Sequence, residues 1–445
     1  MKKVKGMGIL DLPVILCIVG IYFQIYWHYW FVKMLGGYVL NSLLPIIILL
    51  YILLIREFLS NGITRIKKRK TYYLFIPLFL YLFLASLSIF LNEQEVIDIK
   101  AYLIYIYSPA LIFMGILGLY TYKRNENIKL LMMVIFFMGV IFSTYVAVTY
   151  SMDPEGISRL PVLETNRGEI SADTGAAYGI GELGQIRYTI PGISSTTYGP
   201  LIVPLIFVGI YFRKYAAGIL KHLYTILILF LSFCVLMTVS RGPLIILAAG
   251  MAYLLYWKWF KVQEVIVVLL FLFISALTFA KMSFLRLLIT FIAMTPFKFS
   301  LYGNELSGIT QDPRLMSIKG TLLYIYQHPF WGMGMTNLIK AQQLSYGKEH
   351  NNFLSIAATF GIPSLIFYIL FIVLLFVMLH HKIKKLSENP VLKDMGIVLN
   401  AGLLAFILYL NASPAEFHFI WVWFGLSAAW IRNCEKDFSA MRIMP

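Results

Sequence analysis

The chain has 445 residues, 60% of them hydrophobic, with a mean hydropathy of +0.79 and a formal charge of +16. That apolar share exceeds the roughly 45–50% of soluble globular domains, which excludes a water-soluble enzyme and points to a polytopic membrane protein. The three cysteines, Cys17 and Cys234 in apolar runs and Cys434 in a basic tail, offer no disulfide framework.

The opening MKKVKGMGILDLPVILCIVGIYF starts like a signal peptide. Its apolar run is long and has no small-x-small cleavage site, so it is expected to stay as a first helix. About twelve runs are long enough to cross a hydrocarbon core of roughly 30 Å: 10–31, 38–55, 71–91, 101–120, 130–150, 199–212, 223–239, 243–256, 265–280, 353–379, 395–411 and 415–431. The expected fold is therefore all-α, a single integral membrane domain over residues 1–445 with about 12 transmembrane helices.

Most of the 37 Lys and Arg fall in alternate short connections: Lys2 to Lys5, Arg56 to Lys70, Lys123 to Lys129, Arg213 to Lys221, Lys258 and Lys261, Lys382 to Lys393, and Arg432 to Arg442. By the positive-inside rule this side is cytoplasmic, with both termini on it. The charge thus reads as topology, and no nucleic-acid partner is expected.

Two long extracytoplasmic loops then remain, 151–198 and 281–352, which are expected to contain short interfacial helices. The first is rich in Gly, Ser and Thr and carries Arg159, Arg167 and Arg187; a mobile lid, a sugar-facing surface and a plain disordered loop all suit it. In the second, Phe284 to Phe297 suits a segment lying along the interface. Leu315, Ile318, Leu322 and Ile325 recur at helical spacing, and Pro329 should end that helix near His328.

The apolar runs are almost free of ionisable residues at their centres, where ion-driven transporters place theirs. Polar residues gather instead at the expected outer ends. Arg241, in Ser240-Arg241-Gly242-Pro243, offers a planar donor set suited to phosphate, though a snorkelling interfacial arginine reads the same way. Arg314 precedes His328-Pro329-Phe330-Trp331-Gly332-Met333-Gly334, whose glycines would permit a turn with amides facing an anion. In His350-Asn351-Asn352, His350 would accept a proton near neutral pH and Asn351 would orient the ring or a sugar hydroxyl; a structural histidine is the plainer reading. Glu416 suits an alternative base or a simple helix end. No His, Cys or carboxylate spacing calls for a metal, and no cofactor is expected.

An apolar run ending in Ser-Arg-Gly, then Arg314, His-Pro-x-x-Gly-x-Gly, and His-Asn-x-x-Leu before Gly361, resembles the O-antigen polymerase and O-antigen ligase superfamily over about residues 225–370. The resemblance implies a metal-independent glycosyltransferase in the bacterial cytoplasmic membrane, acting at its outer face on an undecaprenyl-diphosphate-linked oligosaccharide and a glycan acceptor. Membrane lipid and, in the same pathway, a chain-length regulator and a flippase are the implied partners. It further implies that Arg241 and Arg314 bind diphosphate and that the catalytic His350 is the general base or the group that orients the acceptor. Asn351, Arg159, Arg167, Arg187, Gly332, Gly334, His328 and Glu416 are candidate substrate contacts. A polymerase is the first expectation and a ligase the alternative. A flippase is disfavoured by the outward placement of the arginines, and a non-catalytic scaffold leaves the paired Arg and His clusters unexplained.

Overall fold

The computed structural model describes residues 73–92, 125–152, 162–163, 170–171, 195–238, 241–261, 313–335, 337–338, 351–386, 389–411 and 418–441, with isolated positions in 15–23 and 110–116. In chain order these form α1 Phe75–Asn92, α2 Asn125–Met152, β1 Val162–Leu163, β2 Ile170–Ser171, α3 Ser195–Tyr215, α4 Gly218–Met237, α5 Arg241–Tyr256, α6 Pro313–Gln327, α7 Asn352–Phe360, α8 Ile362–Lys385, α9 Pro390–Leu410 and α10 His418–Met441. The class is all-α. The two strands make only a short antiparallel ladder, with Val162 opposite Ser171, inside the first long loop.

Among the described residues, five helices are long and apolar enough to cross a membrane: Phe75–Asn92, Asn127–Thr149, Gly218–Met237, Ile362–Lys385 and Pro390–Leu410, with Gly242–Tyr256 as a shorter apolar helix. The expected spans 38–55 and 265–280 and the interfacial stretch 284–297 lie outside the described residues, as do most of 10–31 and 101–120. The run 353–379, expected as one span, is two helices. It breaks at Gly361, where φ is +88°, into the short α7 and the 24-residue α8. A left-handed residue cannot continue a right-handed helix, so the apolar pattern crosses a corner that periodicity does not register.

Burial separates a central set of helices from a peripheral one. In α9, 72% of the spanning window is buried, against 22% in α4. From Phe419 to Cys434, α10 is buried throughout, and α3 is buried from Tyr198 to Phe212. By contrast α1, α4 and α8 expose large apolar side chains such as Phe79, Phe83, Ile226, Ile366 and Val373. Burial inside the protein explains why α3, with Pro200 and Pro204, and α10, with its polar C-terminal half, can be less apolar than the peripheral helices.

Small residues let the central helices approach closely. A Cβ at Gly402 of α9 would lie 2.5 Å from ring atoms of Trp423 in α10, and one at Gly396 would meet Trp430 at the same distance. Trp423 Nε1 donates to the Leu399 carbonyl at 2.8 Å, which fixes the register of the pair and satisfies a buried donor. Phe371 of α8 stacks on Trp421 at 5.8 Å between centroids and takes Phe113 edge-on at 5.2 Å.

One end of the bundle is basic and tightly tied. Lys214, at the end of α3, pairs at 2.5 Å with Asp394, the fifth residue of α9, and Tyr215 donates to the same carboxylate at 2.6 Å. Lys214 also lies over the Trp259 ring at 4.5 Å, and Lys393 over Trp257 at 5.3 Å. Nearby, Asn400 Nδ2 donates to the Tyr253 hydroxyl at 2.6 Å, and that hydroxyl meets His380 Nδ1 at 3.0 Å. Three of the basic connections, at 213–221, 257–261 and 382–393, therefore share one end. The starts of α3, α5, α8 and α10 and the ends of α1, α4 and α9 lie at the other.

Candidate functional site

At the end opposite the basic connections, a turn from His328 to Gly334 docks on the junction of α7 and α8. Pro329 lacks an amide hydrogen and cannot continue α6, which stops at Gln327 as expected. The chain then reverses through Gly332 (φ +68°) and Gly334 (φ +79°). Here Met333 N donates to the Ala358 carbonyl at 2.8 Å and Gly334 N to the Thr359 carbonyl at 3.0 Å, while Ile362 N returns a bond to the Pro329 carbonyl at 2.8 Å. Two glycines face each other across this junction. A Cβ on Gly332 would collide with the Thr359 carbonyl, and one on Gly361 with the Phe330 carbonyl.

The expected nest of amides facing an anion is not how this turn is used. Gly332 N donates to the His328 carbonyl at 3.0 Å, and the next two amides go to α7. Gly332 and Gly334 serve close backbone packing, and both are buried.

The last turn of α1 holds the turn from its other side, through residues that motif reading passed over. Ser88 Oγ donates to the Trp331 carbonyl and lies 3.2 Å from the Thr359 carbonyl. Asn92 Nδ2 reaches the carbonyls of Trp331 and Gly332, each at 3.2 Å. Asn337 Nδ2 donates to the Met333 carbonyl at 3.0 Å. The sequence did carry a signal for the pair on α1: two polar residues four apart on one face of an otherwise apolar run.

Asn351 is the N-cap of α7, its Oδ1 accepting from Leu354 N at 3.1 Å. This fixes the side chain and the direction in which the chain enters the helix, immediately after position 350. Eight residues of helix at 1.5 Å each set Asn351 about 12 Å from the Thr359 dock. His328 is exposed beside the turn.

Arg241 is the first residue of α5 and Arg314 the second of α6. Next to Arg241, the Pro243 ring packs where a Cβ on Gly199 would be, joining the starts of α5 and α3. Since α5 packs on α3 and α9, and α6 on α7, the two arginines open helices of different clusters. His350, Glu416, Arg159, Arg167 and Arg187 lie outside the described residues.

Residues 226–369, from the middle of α4 into α8, match the O-antigen ligase family model. The segment is thus similar to the O-antigen ligase family over about a third of the chain. It contains Arg241, Arg314, the glycine turn and the N-cap of α7, whereas Ser88 and Asn92 come from outside it. No curated protein matches the chain.

Proposed function

We propose that the protein is a glycosyltransferase that joins undecaprenyl-diphosphate-linked oligosaccharide units into a surface polysaccharide at the outer face of the bacterial cytoplasmic membrane. The observation that supports this most is positional. In the segment that matches the O-antigen ligase family, Arg241 opens α5 at the end of the bundle away from the basic connections, Arg314 stands in the first turn of α6, and Asn351 caps the start of α7 directly after position 350.

In the proposed reaction an acceptor hydroxyl oxygen attacks the anomeric carbon of the donor sugar. The bond from that carbon to the diphosphate oxygen breaks, and undecaprenyl diphosphate leaves with the electron pair. His350 takes the hydroxyl proton, a role that supplies about 10²–10⁴-fold where a general base is well placed. Arg241 and Arg314 hold the diphosphate, whose negative charge grows as the bond breaks. Guanidinium groups suit this because two parallel donors match phosphate oxygens and stay charged at any working pH. No catalytic metal is invoked.

The ligase reading, transfer of the lipid-linked glycan to a lipid A core, is favoured by the description of the matching family. One assay separates the two. Purified protein is supplied with lipid-diphosphate repeat units, with and without a lipid A core acceptor and with a chelator present. Longer lipid-linked chains identify a polymerase, and glycan on the core acceptor only in its presence identifies a ligase. Equal turnover by wild type and His350→Ala would remove the histidine from its role, and neither product from a folded wild type would sink the whole reading.

A further inference from the structure

From the backbone of the His328–Gly334 turn, most of whose polar groups are bonded to protein, and the apolar surface around it, we infer that α6 and this turn are seated in the outer leaflet of the bilayer, with phospholipid as their partner. The long outer loop 281–352, expected to contain short interfacial helices, thus gains one specific membrane-seated segment and the face it turns to lipid. The inference stands apart from glycan transfer and needs only that the chain crosses a membrane.

The first observation is the backbone. Lipid accepts irregular chain only where its polar groups are satisfied by protein. Here the carbonyls of Pro329, Trp331, Gly332 and Met333 accept from Ile362, Ser88, Asn92 and Asn337, and the amides of Gly332, Met333 and Gly334 all donate to protein carbonyls. A turn in water has no need of donors from two other helices, α1 and α8.

The second observation is the inversion of α6. Its buried face is small and polar, with Ser317 and Thr321 at 3% and 1% exposure, and Thr321 Oγ1 donates back to the Ser317 carbonyl at 2.8 Å. Its outer face carries Leu322, Leu323 and Tyr326, and the turn adds Phe330 and Trp331, with Tyr326 82% and Phe330 69% exposed. Water would drive the opposite arrangement, whereas helices in lipid pack through small residues and turn large apolar ones outward.

The surface is also continuous with membrane-spanning faces. Phe90 and Leu91 at the end of α1 and Ile362 and Ile366 at the start of α8 are exposed, and both helices are hydrogen-bonded to the turn. An aromatic group at this depth matches the interfacial belts of membrane proteins. Lys319, exposed two turns earlier on α6, then falls at the headgroups, where its ammonium can snorkel.

The test places nitroxide labels on Phe330→Cys and Tyr326→Cys, made in a full-length chain with Cys17, Cys234 and Cys434 replaced and reconstituted in phospholipid nanodiscs. Collision rates with oxygen, which partitions into lipid, are compared with those of a water-soluble nickel chelate. The expected result is oxygen dominance at both positions and chelate dominance at Lys319→Cys. Chelate dominance at 330 and 326 would overturn the inference. If the cysteine-replaced chain does not fold, brominated-lipid quenching of tryptophan fluorescence in wild type and Trp331→Phe reads the same depth. Loss of part of the quenching in the variant supports the inference, and an unchanged quenched fraction overturns it.

Discussion

At Gly361 two requirements meet in one atom's absence. Its φ of +88° disfavours any side chain, and the Phe330 carbonyl occupies the space where a Cβ would lie. Left-handed strain alone costs about 1–3 kcal/mol, and the collision adds to it, so Gly361→Ala should lower the thermal midpoint in detergent and loosen the turn. An unchanged midpoint would show that the α7–α8 corner is not held by this contact. Arg241 invites a different kind of test, because its proposed task depends on geometry as well as charge. Arg241→Lys keeps the charge but loses the paired donors, and one charge-assisted bond of about 1.5 kcal/mol is worth roughly tenfold in affinity. Donor binding weakened about tenfold, with folding intact, is the expected outcome; unaltered binding would reassign Arg241 to snorkelling. These two positions show what motif reading captures. Arg241 was visible because arginine is conspicuous at the end of an apolar run, whereas the task of Gly332 needed the identity of its neighbours across 27 residues of sequence.

Among the elements, α7 carries the sharpest ambiguity, since Asn351 is both its N-cap and a candidate substrate contact. Replacing an asparagine cap by alanine costs about 1 kcal/mol, and aspartate caps as well as asparagine. Asn351→Ala should therefore increase amide exchange in the first turn of α7, at Leu354 above all, and Asn351→Asp should restore protection. If Asn351→Asp restores protection but not transfer, the amide itself touches substrate. If it restores both, the residue acts through the helix. The helix end before Pro329 and the spans corresponding to α1, α2, α4 and α9 were legible because proline and long apolar runs act locally. The division of 353–379 was not, because Gly361 sits inside a run whose apolar pattern continues unbroken through both helices. For α6, periodicity identified a helix but could not say which face is buried: in water the leucine stripe goes in, in lipid it goes out, and Leu322 is out.

For the whole molecule, the ties among 213–221, 257–261 and 382–393 bear on orientation. Lys214, Asp394, Trp259, Lys393 and Trp257 contact one another across three connections. Connections that alternate in sequence with spans can meet only if the spans between them cross the same slab and return. The alternation of basic residues that suggested this is a statement about insertion, while the contacts are a statement about packing, and the two agree without sharing an assumption. The three connections carry Arg213, Lys214, Lys221, Lys258, Lys261, Lys382, Lys384, Lys385 and Lys393, so the rule of positive connections would put this end on the cytoplasmic side and the glycine turn outside. The prediction is a sidedness. In intact cells, a cysteine at Lys261 should resist a membrane-impermeant maleimide until the membrane is opened, whereas one at Asn411, exposed at the end of α9, should react from outside. Asn411 is chosen because its side chain bonds only back to the Ile407 carbonyl of its own helix at 3.0 Å, so its loss leaves the packing of α9 intact. Reversed labelling would invert the molecule and carry Arg241, Arg314 and the capped start of α7 to the cytoplasm, where a polymer destined for the cell surface is not assembled from outward-facing donors. Labelling at both positions from one side would instead break the inference that α9 crosses the membrane at all, whatever its length and hydropathy.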